Sequence, residues 1–357
     1  MVVHLCCSVD AGYFLKRLKE EFKNEKLIGY FYDPNIHPYS EFKLRSLDTK
    51  RICEKLGVEF VEGEYDYLKW YEKTKGMENE PEKGMRCSVC FDLSLEKSAE
   101  FAKKLNDNKV TTSLLMSPMK SHDQLEKIGK VIKRKYGIEF VNIDFRKKGG
   151  TQKQQEFAKE NQLYRQDYCG CIYGIWQQKQ HQEIIDELIS PFPFQVLPSS
   201  IEEKLELYKK RIKLEESKKN YKIIKENFLN YRLLYSRVEV KKKPFKHYTL
   251  FYSFLDRPQR VRIEFINNNI AFANRAQIVF ITPQKINEIL NKNYNNVFEL
   301  YKNPLSIKEE LEIRKKIFQT EYNLSAVIVI DEFLEERFDI DINSKIYPDT
   351  KEILIKF

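Results

Sequence analysis

No stretch of this 357-residue chain approaches the roughly 18–20 consecutive apolar residues that a membrane-spanning helix needs. The N-terminus lacks a basic region followed by an apolar stretch and a small-residue cleavage site, and Val2 to Cys6 is too short for a signal peptide. Internal repeats and low-complexity tracts are missing too. With these lacking, the expectation is a soluble cytoplasmic protein with no membrane partner. One further lack is local. The turn after the first apolar run, Cys6-Cys7-Ser8-Val9-Asp10-Ala11, contains no glycine. A phosphate cradle needs glycines so that backbone amides can approach the anion, so a nucleotide-binding loop is excluded there.

What is present suits a globular chain long enough for two domains, with 42% hydrophobic and 32% charged residues. The formal net charge is +9 and is uneven. Residues 201–330 hold 26 Lys and Arg against 15 Asp and Glu, while residues 331–357 are net acidic. A basic second half suits a polyanionic partner as well as an ordinary lysine-rich surface.

The first 145 residues alternate. "VVHLC", "LIGYFY", "VEFVEG", "VTTSLL" and "EFVNID" are short β-rich runs, separated by helical patterns over 11–23, 40–56, 88–105 and 122–136. The second helix places Phe42, Leu47, Ile52 and Leu56 roughly on one face, and Gly57 ends it. This alternation predicts a doubly wound, parallel, five-stranded α/β sheet. Ligands of such sheets bind beyond the carboxyl ends of the strands near the switch point, which places Cys6, Cys7 and Asp10 in the expected crevice. Residues 146–190 read as mostly helical, interrupted by "YCGCIYG", and "SPFPFQVLPSS" (190–200) reads as a linker. Beyond it, 201–236 reads as a long charged helix, 248–281 as a small antiparallel sheet, 306–319 as a helix and "AVIVI" as a final strand. The expected domains are therefore an α/β domain over 1–190 and a smaller, basic α+β accessory domain over 201–357.

Six of the seven cysteines form close pairs: Cys6 with Cys7, Cys87 with Cys90, and Cys169 with Cys171. Cys53 stands alone on an apolar helix face and reads as a small buried hydrophobe. In a reducing compartment such pairs point to metal or redox work rather than disulfides. Cys-x-x-Cys at a helix start and Cys-Gly-Cys in a tight turn can each offer two thiolates, which suit zinc or an iron–sulfur cluster. Adjacent cysteines in extended backbone point to opposite sides, so without a bend Cys6 and Cys7 would serve two neighbouring centres. Asp10 adds a hard oxygen, and a mixed thiolate and carboxylate set fits iron better than a structural zinc.

Five blocks, "HLCCSVD", "FYDPNIHPYSEF", "KGMRCSVCFDL", "TTSLLMSPMKSHDQL" and "LYRQDYCGCIYG", follow in the order seen in the QueH family of epoxyqueuosine reductases, which this sequence resembles over about residues 1–176. The resemblance implies an adenine nucleotide α-hydrolase-like fold. It also implies reduction of epoxyqueuosine to queuosine at the wobble position of tRNA, with a [4Fe–4S] cluster, an adjacent iron ion and an electron donor that the sequence does not name. Carried over by position, the metal set is Cys6, Cys7, Asp10, Cys87, Cys90, Cys169 and Cys171. Some family members have a cysteine where this chain has Asp10, and both can bind iron. The expected division gives Cys87, Cys90, Cys169 and one or both of Cys7 and Cys171 to the cluster. Cys6 and Asp10 go to the single ion and are the catalytic candidates. Residues beyond about 190 fall outside the resemblance.

The chemistry matches these parts. Turning an epoxide into an alkene consumes two electrons and two protons and releases water, and oxophilic iron is a Lewis acid for the epoxide oxygen. Tyr32, Asn35, His37 and Tyr39 follow the second strand on the cysteine edge and are candidates to stack on or bond the modified base. Lys120 and Arg165 are candidates for phosphate or ribose. His4 and His122 are each either functional or structural, and Arg86 either offsets cluster charge or sits on the surface. The run "KKKPFKHY" (241–248) and the aromatics after it read as a nucleic-acid surface or as a solvated charge run. Two rival functions remain at this point: an iron–sulfur tRNA thiolase on the same core, and a non-enzymatic zinc-stabilised RNA-binding module.

Overall fold

A computed structural model of the chain describes all residues except 119, 180–183, 189–191, 193, 194, 276 and 321. The chain forms two compact units. One comprises Met1–Ile185, Lys204–Ile223 and Leu354–Phe357; the other comprises Asp186–Glu203 and Ile224–Ile353. Among the described residues, no helix is long and apolar enough to cross a membrane.

The first unit begins with β1 (Val2–Leu5), α1 (Ser8–Glu21), β2 (Ile28–Phe31), α2 (Tyr39–Lys55) and β3 (Glu59–Glu62). It continues with α3 (Tyr67–Thr74), α4 (Met85–Lys104), β4 (Lys109–Thr112), α5 (His122–Tyr136), β5 (Glu139–Phe140), α6 (Gly150–Glu160) and α7 (Ile172–Gln178). The five strands are all parallel, in the order β3-β2-β1-β4-β5. This is the expected doubly wound parallel sheet. β1 is central and buried on both faces: Val2, Val3 and Leu5 are fully buried, as parallel strands covered by helices require. The strand order reverses between β1 and β4, so the loops after these two strands open into the crevice that such sheets use for ligands.

Helix α2 departs from a simple apolar stripe. Besides Phe42 and Ile52 it buries Glu41, Arg45 and Asp48. Burying three ionic groups demands partners, and these are found. Arg45 Nε donates to Glu41 at 2.6 Å, Tyr164 Oη donates to Glu41 at 2.8 Å, and the Tyr164 amide donates to Asp48 at 2.7 Å. The polar side of α2 thus anchors the segment that leads into Cys169.

The segment 146–190 is helical in α6, α7 and a short 3-10 turn at Asp186–Leu188 among the described residues, with irregular chain between α6 and α7. Of the expected linker, 190, 191, 193 and 194 lie outside the described residues. Gln195 is buried in the second unit, donating to Leu305 O and to Glu310, both at 2.8 Å.

The expected helix over 201–236 is corrected. α8 (Ile201–Glu216) stops early, and β6 (Tyr221–Val240) takes the rest. Lys218 adopts a positive φ of 52° that ends the helix, and from Tyr221 exposed and partly buried residues begin to alternate, which is the strand period. "AVIVI" is not the last strand. After β7 (Lys243–Pro244), β8 (Tyr248–Thr249), β9 (Gln259–Val261), β10 (Ile263–Asn267), β11 (Ile270–Ala273) and β12 (Val279–Ile281) come α9 (Pro283–Leu290), α10 (Val297–Lys302) and α11 (Ile307–Phe318). Then follow β13 (Val327–Val329) and β14 (Phe338–Lys356). The α+β expectation holds, but the strands form two sheets, ordered β10-β11-β12-β13-β8 and β7-β6-β14-β9. β12 and β13 pair in parallel, and the helices α9–α11 lie between them in sequence.

Candidate metal centre

The sheet delivers Cys6 and Cys7 at the end of β1. Cys7 is the extended residue that precedes α1 (φ −166°), and Asp10 lies in the first turn of that helix. The strand stops at Leu5, and α1 begins at Ser8 directly after the extended Cys7. As a result Cys6 and Cys7 do not diverge as an extended pair would. Their sulfurs are 4.0 Å apart, and Cys6 Sγ lies 3.6 Å from Asp10 Oδ2. The three donors lie within 4.8 Å of one another. Two metal–sulfur bonds of about 2.3 Å at a tetrahedral angle span about 3.8 Å, so this spacing suits two thiolates sharing one ion.

Cys87 and Cys90 sit one turn apart at the start of α4, and Cys171 precedes α7. Gly170 between the last two cysteines has φ +115°, and a Cβ there would come within 3.1 Å of both Arg45 and Ile36. Only glycine lets the loop turn while lying flat against α2. Arg45 holds the loop by donating to Tyr168 O at 3.1 Å and to Cys169 O at 3.2 Å.

All six paired cysteines and Asp10 line a single cavity of about 290 Å³. Cys53 is fully buried in the apolar core and takes no part. Within the cavity the thiols divide. Cys6 feels Cys7 and Asp10, whereas the sulfurs acting on Cys90 are those of Cys169, Cys171 and Cys87. The cavity is hostile to bare thiolates. The Cys7 contact, then burial and the nearby Asp10 charge, push the Cys6 thiol up, and burial pushes Cys90 and Cys87 up and Cys171 to about 12. Burial also raises the Asp10 carboxyl, against a 2.7 Å hydrogen bond from Gln154.

Donors are nonetheless aimed at the sulfurs. The Lys83 amide donates to Cys87 at 3.3 Å, the Gly174 amide to Cys171 at 3.1 Å, the Ser113 hydroxyl to Cys6 at 3.4 Å and the Lys120 ammonium to Cys169 at 3.2 Å. Arg45 and Arg86 add two guanidinium groups to the wall. A cavity that keeps free thiols neutral yet surrounds them with N–H donors and cations fits a bound metal, whose charge would draw the protons off. Soft sulfur donors with one hard carboxylate suit iron.

Of the other candidates, Asn35 and Lys120 line the cavity. Tyr32, His37, Tyr39 and Arg165 do not. Tyr32 is buried and donates to Asp66 at 2.9 Å. His37 is half-buried against Tyr67, and its amide donates to Gly170 O at 2.8 Å. Tyr39 is exposed and stacks on Phe42. Arg165 is exposed and donates to Gln155 O at 3.3 Å. His4 is buried between Thr112 (2.8 Å) and Tyr32 O (3.1 Å), and His122 bonds Leu115 O at 2.9 Å, so both serve the scaffold. Arg86 is buried, tied to Met77 O and Glu78 O, and is not a surface arginine.

Sequence reasoning missed Asp33, Arg45 and Glu82, all in the cavity wall. Asp33 Oδ2 is buried without a hydrogen-bond partner, and burial raises this carboxyl to about 8. Its signal was its place beside Pro34 at the end of β2. Arg45 could have been found as a charge on an otherwise core-facing helix side.

A family model described as "Epoxyqueuosine reductase QueH" matches residues 1–177. Epoxyqueuosine reductase QueH of Helicobacter pylori is 38% identical over 358 residues, covering 96% of this chain and 97% of that protein. The proteins of the same name from Haemophilus influenzae and Thermotoga maritima are 35% and 33% identical, covering 49% and 52% of this chain and 71% and 95% of theirs. The Helicobacter relative therefore shares the second half of the chain, which these other two matches leave out. Among solved structures, the U34-tRNA thiolase NcsA from Methanococcus maripaludis with its [4Fe-4S] cluster is similar at 15% identity and a TM-score of 0.32, covering 61% of this chain and 66% of that one. That likeness is too slight to bear on function. Near-full-length similarity to the Helicobacter protein, together with the matching five-block half that builds the cysteine cavity, makes this chain an oxidoreductase belonging to the QueH family of epoxyqueuosine reductases.

Proposed function

We propose that this protein reduces epoxyqueuosine to queuosine at the wobble position of tRNA in the cytoplasm, using a [4Fe–4S] cluster and an adjacent iron ion fed by a separate one-electron donor. The observation that carries the reading is the convergence of six thiols and Asp10 on one cavity. Cys87, Cys90, Cys169 and Cys171 would hold the cluster, and Cys6, Cys7 and Asp10 the single ion. The expectation from sequence left Cys7 open between the two groups, and the nearness of its sulfur to Cys6 and Asp10 supports giving it to the ion. When bound, the metals would supply Lewis acidity toward the epoxide oxygen and a route for electrons.

The chain's own residues set the conditions. Lys120, close to Cys169 and 3.1 Å from Glu82, offsets thiolate charge. Asp33, neutral up to about pH 8, keeps a proton in the wall with its Oδ2 free to bond a polar group of the substrate. Asp10, as an iron ligand, positions the metal and is not a proton store. Asn35 adds an amide to the same wall.

Two measurements on one system test this. Anaerobically purified protein should hold about five irons and four sulfides. Bulk tRNA from a strain lacking this gene should accumulate epoxyqueuosine, cured by the wild-type gene and not by Cys87→Ala. One zinc without iron, or unaltered nucleosides, would overturn the reading.

A further inference from the structure

The basic run at 241–248 does not carry its rings to the surface. Tyr248 and Phe251 belong to the core of the second unit. Lys241 pairs with Glu336 at 2.6 Å and Lys246 with Asp331 at 3.6 Å. The exposed rings lie elsewhere. β10 is the open edge of its sheet, and Phe265 on β10 sits directly across from Phe272 on β11. Their centroids are 6.2 Å apart with planes 28° from parallel, and they are 58% and 37% exposed. Asn268 and Asn269, with φ of 49° and 60°, form the two-residue turn that fixes this pairing. Ala271 is fully buried, so its neighbours Ile270 and Phe272 face the other way.

Beside the ring pair runs a cleft of about 490 Å³, lined by Asn267, Ile270, Phe272 and, from α9 and α11, Lys285, Glu288 and Lys316. Arg262, at the other end of the pair, is exposed, and its amide donates to Asn274 Oδ1 at 3.1 Å. Among the described residues neither Arg262 nor Lys316 has an ion-pair partner, whereas Glu288 is held by Lys285 at 2.9 Å. The remaining acid of the patch is Glu264. Two large rings side by side in water are a liability unless something covers them. Arg262 and Lys316, unpaired beside the rings, give the patch its own positive charge, which suits a polyanion.

We propose that Phe265, Phe272, Arg262 and Lys316 form a docking surface for unpaired bases of tRNA, the rings stacking on bases and the two cations meeting phosphates. Stacking of this kind tolerates any base, because every base has a π face. The proposal rests on tRNA being the substrate and adds a contact in the second unit, apart from the metal cavity.

The test uses full-length, metal-loaded protein and an unmodified transcript of a queuosine-accepting tRNA, with affinity read by fluorescence anisotropy. The double variants are Phe265→Ala with Phe272→Ala, and Arg262→Ala with Lys316→Ala. Each should weaken binding roughly tenfold or more with iron content and melting temperature unchanged, and in a separate assay on tRNA bearing epoxyqueuosine the loss in turnover should appear in KM. The Arg262/Lys316 variant should also lower the slope of log affinity against log salt by about 1.4. Variants that bind as wild type does would overturn the surface and leave the tRNA substrate standing. Wild-type protein that binds no tRNA would overturn both. Sedimentation showing a dimer that the Phe variant dissolves, at unchanged tRNA affinity, would assign the face to a second copy and overturn the proposal.

Discussion

The ammonium of Lys120 lies 3.2 Å from the sulfur of Cys169 and 3.1 Å from Oε1 of Glu82. Burial works against its charge, but Cys169 and Glu82 outweigh burial and hold the amine protonated. A charge-assisted bond to a ligand sulfur contributes about 1.5–3 kcal/mol. Lys120→Met should therefore weaken cluster retention roughly tenfold or more, seen as faster loss of visible absorbance on chelation. Lys120→Arg, which keeps the charge, should recover part of it.

The two thiol groups separate by metal analysis. Cys6→Ser or Asp10→Ala should lower iron by about one per chain and leave sulfide intact, whereas Cys90→Ala should remove sulfide and most iron together. Cys53→Ala supplies the control. Its side chain is fully buried among apolar neighbours, so the change should cost about 1 kcal/mol of stability and no metal. Equal losses from all four variants would reject the division.

His4 and Asp33 lie 3.7 Å apart and are both buried. Burial lowers the histidine to about 4 and raises the carboxyl to about 8. A histidine lowered from about 6.5 loses its contribution as pH falls toward 4, because the unfolded chain then binds the extra proton. A carboxyl raised from 3.8 loses its contribution as pH rises from 3.8 through 8, because the folded chain holds the extra proton. Between pH 4 and 6.5 the two slopes cancel. From 6.5 to 8 Asp33 is the one member of this pair still titrating, and its share of the loss in metal-free protein is about 2 kcal/mol, added up to about pH 7 to that of Glu310, whose carboxyl burial raises to about 7. Asp33→Asn should remove that share, and the difference between wild type and variant should fall as pH rises to about 8. Denaturant melts across this range check both signs.

Gly170→Ala should damage the site without touching a ligand. The positive φ disfavours any side chain, and the added carbon meets Arg45 and Ile36 at 3.1 Å. The expected cost is about 1–3 kcal/mol, with reduced metal content, since Cys169 and Cys171 move with the loop. Full metal content would show that the loop has room to relax.

The sheet was legible because each strand of the first half is a short β-rich run set between helical periods. The metal set was legible as paired cysteines. Their grouping was not, because it depends on how the short junction between β1 and α1 sets the two sulfurs, and so short a junction leaves no periodic trace. The second half misled through composition. β6, with charges scattered along it, reads as helix when charge is weighed above alternation, yet "FDIDI" at the start of β14 shows the strand period plainly, with Phe338, Ile340 and Ile342 buried. Asp33 and Arg45 escaped notice because a buried charge looks like any surface charge until its neighbours are known.

The anchoring of the Cys169 loop on α2 bears on how the centre is made. The ribosome completes Cys6, Cys7, Cys87 and Cys90, and with them Glu41, Arg45 and Asp48, well before Cys169 emerges. At roughly 5–20 residues per second, the nascent chain waits on the order of several seconds with its docking post built and two thiols of the four-sulfur group still to come. During translation the nest stays open on one side, and the arrival of a single short loop shuts it.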